Sequence, residues 1–368
     1  MTDYLGNRHN EKFAYRRVSW PGMVEGEEYK QFTGGSVEKS AFSDLKESGS
    51  VNYQGDTPPD DHDLLRIYYE FDDDEGNHAE HAIATMRMYV SEPIYQGDVI
   101  KGTVELYSLL QVLSDKVYGS PFTVAKGTKA VAFAKQLAEG LNLKVNAASS
   151  SYTIATDHTF DSDASYLTII NWLLTVANFQ SVFCDEYGVL QMQPYIEPTE
   201  REVSFTFVDD EQSIMYPEVK QSYDWGSTPN VVRMIYETDE ETLIAAAYNI
   251  DPASRASTVN RGAEKTLIES VNELQGTTQA ARITELKNKS LAKLIENSSD
   301  IEYVTLKHAW IPILVNNAIG VTYREAGLDW KGAITNLKVD LKPSVPCELK
   351  ARRYVRSSLV TRTEGSAL

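Results

Sequence analysis

Cysteine is scarce in this sequence: only Cys184 and Cys347 occur among 368 residues, and they stand in no CxxC pattern. Zinc and redox motifs built on CxxC pairs are therefore excluded. One disulfide is possible in principle, but a chain of this length buries enough apolar surface to fold without it. We expect two reduced thiols.

Long apolar runs are also absent. The longest nearly apolar segment, YLTIINWLLTVANF, runs only from Tyr166 to Phe179 and includes the polar Asn171. It is too short to span a membrane and has the length of a buried helix. The N-terminal segment MTDYLGNRHNEKFAYRR lacks the apolar stretch of a signal peptide. We therefore expect a soluble protein made in a cytoplasm.

Positive charge is the third scarce feature. The chain has 35 Lys and Arg against 53 Asp and Glu, which gives a net charge of −18. Nucleic-acid binding requires a basic surface that replaces counterions, so this excess of acidic residues argues against a nucleic-acid-binding protein. The same charge suits a surface that DNA passes without binding. With 42% hydrophobic and 24% charged residues, the chain belongs among ordered globular proteins.

Motifs for catalysis and phosphate binding are missing as well. The chain contains no GxSxG elbow, no GxxxxGK[ST] or GxGxxG phosphate loop and no HExxH helix. Pairs of carboxylates suited to glycan hydrolysis arise by coincidence among 53 acidic residues, so sequence spacing carries little weight for that chemistry. We predict a non-enzymatic protein with no catalytic residue and no cofactor.

Two acidic or histidine-containing segments are candidate metal sites. In NHAEH, His78 and Glu80 share one face of a strand while His81 points to the other, which is poor geometry for a shared ion. The segment FDDDEGN is acidic, but its carboxylates do not alternate as in a calcium loop. A polar hairpin tip and the solvent-exposed start of the following strand explain the composition of both segments. We predict no metal-binding residue.

The segment NIDPASRASTVNRG, residues 249–262, has the composition of an active-site rim. Pro252 restricts one backbone angle, and Ser254, Ser257 and Thr258 can cap neighbouring amides. No histidine lies within 45 residues on either side. We interpret the segment as a structural connector between two strands.

Residues 1–118 have the pattern of a β-rich domain. LLRIYYEF and HAIATMRMYV flank the polar tip DDDEGN, which predicts a hairpin. Short alternating runs in SVEKSAFSDLKESGSVNYQG and DVIKGTVELYSLLQVL predict further strands. Strands at this spacing are typical of a small barrel or sandwich.

Residues 119–200 predict an α+β domain. Val131, Leu137 and Leu141 have helical spacing, with Thr128 as a cap and Gly140 at the C-terminal end. A second helix in DSDASYLTIINWLLTVANF would begin at Asp161 or Ser162 as N-cap. Two short strands around the turn DEYG complete a helix–helix–hairpin unit.

Residues 201–368 return to β structure. EVSFTFVDD, NVVRMIYET and TLIAAAYNI predict strands, the last two joined by the acidic turn DEE. KTLIESV predicts another strand, and TTQAARITELKNKSLAKLIEN predicts an amphipathic helix with Ala280, Ile283, Leu286, Leu291 and Leu294 inward. Further strands follow in IEYVTLKHAWIPIL and GVTYREAGLDWKGAITNLKVDLK, and SSLVTRTEGSAL is predicted to be a polar tail. The whole chain is predicted to be α+β and β-rich.

The order of several segments resembles the tail hub proteins of tailed bacteriophages. SDLKESGS comes first, then INWLLTVANFQSVFCDEYGVLQMQPY, PNVV, AAAYNIDPASRASTVNRG and finally HAWIPIL. The resemblance covers essentially the whole chain, and its motifs are structural rather than catalytic.

This resemblance implies two small β-barrel-like domains with α+β domains between them. The first barrel would be 1–118, and the second would combine about 201–229 with about 300–368 around an inserted lobe at about 230–299. Such proteins form homotrimers whose six barrels adapt a sixfold tail tube to a threefold tip. The implied partners are the distal tail protein and tail tube, the tape-measure protein and the tip or receptor-binding proteins. Genome DNA would pass through the lumen of a virion assembled in the host cytoplasm, without specific binding or membrane insertion.

Two other classes of function remain open on the sequence. One is a tail-tip hydrolase acting on host cell-wall or surface polymers, and the other is a β-rich adhesin. Gene order separates them, because a hub gene lies just downstream of the tape-measure and distal tail genes.

Overall fold

In the computed structural model of the protein, the chain divides into two units. The first unit comprises residues 1–219 and 306–350, and the second comprises 220–305 and 351–368. The residues described are 8–196, 200–210, 213–238, 240–271, 274, 276–297, 300–342, 347–355 and 360–367. The domain boundaries predicted from the sequence, and the closure of strands into barrels, stay predictions.

Eight strands make up the N-terminal part of the first unit. They are β1 (His9–Val18), β2 (Glu25–Glu28), β3 (Phe32–Ser40), β4 (Glu47–Gly55), β5 (Leu64–Asp72), β6 (His78–Val90), β7 (Ile94–Gln96) and β8 (Val99–Tyr107). Strands β5 and β6 pair antiparallel around the predicted polar tip, which confirms that hairpin. The region predicted as a strand up to Leu113 instead turns into a helix after Tyr107.

These strands form one continuous sheet in the order β3–β4–β8–β6–β5–β1–β2, and β7 pairs with β8. Strand β5 is buried along nearly its whole length, including the polar Arg66 and Glu70. Buried charge is costly without partners, so the ion pairs that these residues make help to define the register of β5 against its neighbours.

Short helices and strands form the middle of the first unit. They are α1 (Leu110–Asp115), β9 (Phe122–Val124), α2 (Ala130–Glu139), β10 (Val145–Ala147), β11 (His158–Phe160), α3 (Tyr166–Val176), β12 (Phe183–Cys184) and β13 (Leu190–Met192). Helices α2 and α3 confirm the two predicted helices, and β12 and β13 pair antiparallel as predicted. Leu167, Ile170 and Leu174 of α3 enter a common apolar core.

The predicted N-caps of both helices were wrong, whereas Gly140 ends α2 as predicted. Helix α2 has Lys129 at its N-cap position with no side-chain cap, not Thr128. Helix α3 has Ser165 at its N-cap, where its hydroxyl accepts a hydrogen bond from the Thr168 N–H at 3.2 Å. Several polar residues precede α3, and the local pattern does not distinguish which of them adopts the extended backbone of a cap.

Replacing the true cap tests this assignment. We expect Ser165→Ala to lower the free energy of unfolding by about 1 kcal/mol, because the Thr168 N–H loses its acceptor. Ser162→Ala, at an exposed position predicted as the cap, is the matched control and should change it by less than about 0.5 kcal/mol. Urea unfolding of both variants measures the difference, and equal effects would contradict the assignment.

The remaining elements follow in chain order. They are β14 (Val203–Val208), β15 (Met215–Tyr223), β16 (Val231–Glu237), β17 (Thr242–Asn249), α4 (Thr258–Arg261), β18 (Thr266–Ser270), α5 (Gln279–Asn297), β19 (Asp300–His308), β20 (Ala318–Tyr323), β21 (Leu328–Asp340), β22 (Cys347–Val355) and β23 (Thr361–Ala367). In the first unit, β20 pairs with β14 and with β21, and β21 pairs with β3.

The second unit contains a four-stranded sheet in the order β18–β16–β17–β23, with α5 against one face. Leu286 and Leu294 of α5 are buried, and Ile283 and Leu291 are partly buried against the sheet, as predicted; Ala280 is exposed instead. Asp239, in the predicted turn between β16 and β17, lies outside the described residues.

The predicted polar tail was also wrong. Residues Thr361–Ala367 form strand β23, which pairs antiparallel with β17 over its full length. A strand at a sheet edge needs only backbone hydrogen bonds, so its side chains can be polar and give no alternating signal. Residues 357–359 and 368 of that segment lie outside the described residues. Among the described helices, none is long and apolar enough to cross a bilayer.

Candidate functional site

A histidine and two glutamates converge on the β5–β6 hairpin. Strand pairing sets Glu70 opposite Glu80 and Asp72 opposite His78. One ligand atom from each of Glu70, His78 and Glu80 lies within 4.8 Å of the others. The sequence placed His78 and Glu80 on one face but missed Glu70. Counting back from the hairpin tip would have found it, because the tip sets the register of both strands.

Cations of the protein itself already neutralise this cluster. The Lys12 Nζ lies 2.8 Å from the Glu70 carboxylate, and the Arg16 guanidinium contacts both Glu70 and Glu80. Nδ1 of His78 lies 3.1 Å from the Asp72 carboxylate. A metal ion would have to displace Lys12 and Arg16 from the carboxylates, so the arrangement is that of an ion-pair network.

His81 lies apart from this cluster, as expected for the opposite face. Its ring stacks on Phe71 with centroids 6.1 Å apart and lies 5.3 Å from Trp310. Burial lowers the pKa of His81, since the charged imidazolium would lose its hydration. The residue therefore contributes an aromatic, uncharged surface to the interior.

The acidic hairpin tip is organised by one of its own carboxylates. Asp73 Oδ1 accepts hydrogen bonds from the backbone N–H groups of Glu75 and Asn77 at 2.9 and 2.8 Å. The Asn77 side-chain amide, which donates to Asp73 Oδ2 at 3.0 Å, and these backbone bonds lower the pKa of Asp73, and together they use the oxygens that a calcium ion would require. A second acidic group, Asp60, Asp61 and His62, lies exposed on the loop before β5.

Both cysteines are buried, free thiols. Burial raises the pKa of Cys184 to about 12, with the Glu47 carboxylate adding to the shift, and burial likewise raises the pKa of Cys347. A nucleophilic cysteine needs a stabilised thiolate. These two therefore stay protonated and behave as small apolar residues.

Several side chains of residues 249–262 form hydrogen bonds that stabilise their own loop. The Asn249 Nδ2 donates to the Ser254 Oγ at 3.1 Å, and the Asp251 carboxylate accepts from the Ala253 N–H at 2.8 Å. Ser257, also buried, caps the short helix α4, which the sequence did not predict. The Arg261 side chain donates to the Thr228 carbonyl at 3.0 Å. These contacts give the loop a structural role.

The most deeply buried charge pair among the described residues joins β3 and β4. The Lys39 Nζ lies 2.9 Å from Glu47 Oε1, and the two side chains are only 7% and 4% exposed. Glu47 Oε2 is buried and has no hydrogen-bond partner among the described residues. Burial opposes the charge on Lys39, but the Glu47 and Glu186 carboxylates outweigh it and raise the pKa of Lys39.

A cavity of about 200 Å³ lies beside this pair. Lys39, Glu186 and Glu80 bring charge to its lining, and Trp310 and Leu337 are among its apolar residues. It is smaller than the 300 Å³ or so at which sites for small-molecule ligands begin. The cavity can accept a single side chain or a few waters rather than a substrate.

In sequence, the chain matches no known family model and no curated protein. In structure it is similar to a tail protein from Neisseria meningitidis, with a TM-score of 0.62 and 12% identity over 93% of this chain and 97% of that one. A 43 kDa tail protein of prophage MuSo2 from Shewanella oneidensis gives a TM-score of 0.62 and 12% identity over 92% of this chain and 98% of that one. The chain has the fold of phage tail proteins.

The fold is also similar to that of a VgrG complex. A chain of the Francisella PdpA-VgrG complex gives a TM-score of 0.57 and 9% identity. The match covers 94% of this chain and 53% of that one. The β-rich α+β class predicted from the sequence is confirmed, as is the resemblance to tail proteins at the level of fold.

Proposed function

We propose that the protein is a structural virion component: a homotrimeric tail hub at the distal end of a bacteriophage tail. It adapts the sixfold tail tube to the threefold tip and lines part of the channel through which DNA leaves. Its partners are the distal tail protein and tail tube, the tape-measure protein, and the tip or receptor-binding proteins.

The observation that carries this proposal is the likeness in fold to two phage tail proteins along nearly the full length of all three chains. The net charge of −18 supports the channel role, because an acidic lumen offers phosphates no cationic partner. The protonated cysteines and the neutralised Glu70–His78–Glu80 cluster support a structural rather than catalytic role.

The mass of the purified protein in solution tests the proposal. We expect a species of three times the 41.2 kDa chain mass across a wide concentration range. Obligate rings bury on the order of 2,000 Å² or more per contact, so dilution should not dissociate it. Negative-stain images of the same sample should show a ring with a sixfold outline.

A persistent monomer would require a second step, in which the distal tail protein is added at equimolar concentration. A trimer that forms only then keeps the proposal and assigns its assembly to the partner. A monomer that remains after this addition contradicts the hub.

A further inference from the structure

A groove of about 650 Å³ lies in the first unit, lined by β2 and by residues 57–60. Arg17, Tyr29 and Gln31 also contribute to its lining, together with the Pro58–Pro59 step. None of these residues takes part in the Glu70–His78–Glu80 cluster or in the cavity beside Lys39.

Strand β2 stands at the end of its sheet. It pairs with β1, and no other described strand pairs with it. The Tyr29 N–H donates to the Tyr15 carbonyl on β1 at 2.7 Å. Backbone groups alternate in direction along a strand, so the N–H and C=O of Glu28 point away from β1. All four residues of β2 are exposed, which leaves this edge open to another strand.

The groove carries an excess of negative charge. Glu27 and Glu28 line it from β2, and Asp60 lines it from the opposite segment of the chain. Arg17 supplies the cation of the lining, but its guanidinium is bound to Asp63. Carboxylates that share a groove repel one another, and an occupant with positive charge relieves that repulsion.

The Pro58–Pro59 step adds a rigid wall to the groove and has no N–H groups of its own.

We propose that this groove binds an extended basic segment of a partner protein, with Lys or Arg at alternate positions. The segment adds to the open edge of β2 as a further strand. Its backbone pairs with Glu28, and its cations, which share one face of the added strand, meet Glu27 and Asp60. Strand addition supplies affinity through main-chain hydrogen bonds, and alternate side chains supply specificity. The proposal rests on the first unit alone and does not depend on trimer assembly.

Fluorescence anisotropy with a labelled peptide, TKTKTKTK, tests the charge component on the full chain. We expect saturable binding that weakens by at least about fivefold between about 50 mM and about 250 mM NaCl. The double variant Glu27→Gln/Glu28→Gln should weaken binding about tenfold. Glu92→Gln/Asp98→Asn removes the same charge from exposed positions elsewhere in the unit and should weaken it less than about twofold.

A second peptide, TKTKTKTK methylated at every backbone nitrogen, separates strand addition from charge. It has the same lysines at the same spacing, but a methylated amide cannot donate to a strand ladder in either register, so we expect about tenfold weaker binding. Hydrogen exchange should slow at the Glu28 amide when TKTKTKTK binds. Equal affinity of the two peptides, equal losses in the two double variants, or no binding of TKTKTKTK would each overturn the proposal.

Discussion

Lys39→Met should lower the free energy of unfolding by about 3 to 5 kcal/mol. The substitution preserves most of the side-chain volume but leaves the Glu47 carboxylate buried without its ammonium partner. Burial raises the pKa of Glu47, and Lys39 opposes that rise. Without Lys39 the carboxylate must either remain charged in an apolar surrounding or take up a proton, and both cost stability.

The double variant Lys39→Met/Glu47→Leu distinguishes the unpaired charge from lost packing. We expect it to recover most of the loss, since replacing both partners of a buried pair by apolar residues is often neutral. Lys338→Met is the matched control, because its surface pair with Glu38 joins neighbouring strands but is half exposed. That control should cost less than about 1 kcal/mol.

Urea unfolding followed by tryptophan fluorescence measures all three variants. A double variant as unstable as Lys39→Met would show that packing around the lysine stem, rather than the unpaired carboxylate, sets the cost. An undiminished stability of Lys39→Met would contradict the burial of the pair.

Acidification should remove about 3 kcal/mol of stability through His308 alone. Burial lowers the pKa of His308 to about 4 from its ordinary 6.5. Its Nδ1 lies 2.7 Å from the Ala309 carbonyl, to which it donates in the neutral form, and its Nε2 is buried with no partner among the described residues. A second proton at Nε2 would therefore create an uncompensated buried charge.

The direction in which stability changes with pH follows from proton uptake at His308. Between pH 6.5 and 4 the unfolded chain binds a proton at His308 and the folded chain does not, so stability falls as pH falls. The contribution is fully present above pH 6.5 and lost below pH 4. His81, whose pKa is also lowered by burial, acts in the same direction.

Unfolding free energies measured at several pH values in this window test the effect. His308→Asn retains a donor near the Nδ1 position but cannot titrate, so its stability should fall less steeply with pH than that of the wild type. His62→Asn is the control, because the His62 side chain is 91% exposed. Equal slopes for His308→Asn and the wild type would contradict the assignment.

Elements with a strong local pattern were predicted correctly from the sequence. The β5–β6 hairpin and helices α2, α3 and α5 each combine apolar periodicity with a turn or a polar boundary. Helix caps were predicted less well, because several polar residues precede α3 and only the backbone conformation decides which one caps it.

In the candidate site, too, only the features set by local sequence were predicted. The sequence indicated that His78 and Glu80 share a face, since strand side chains alternate. The prediction missed Glu70, although the register of the β5–β6 hairpin places it opposite Glu80. The sequence did not indicate that Lys12 and Arg16 neutralise the cluster, because those contacts depend on the register of β1 and β5.

The amino-acid sequence by itself determined the β-rich class, the main hairpins and helices, and the absence of recognisable catalytic motifs. These features depend on neighbours within a few residues, where side-chain periodicity is decisive. Only the tertiary structure decided that Lys39 and Glu47 are buried together, that Glu28 lies at an open sheet edge, and that Thr361–Ala367 pairs with β17. Strand pairing is made by backbone groups that every residue carries, so partners far apart in the chain leave little trace in the side-chain pattern.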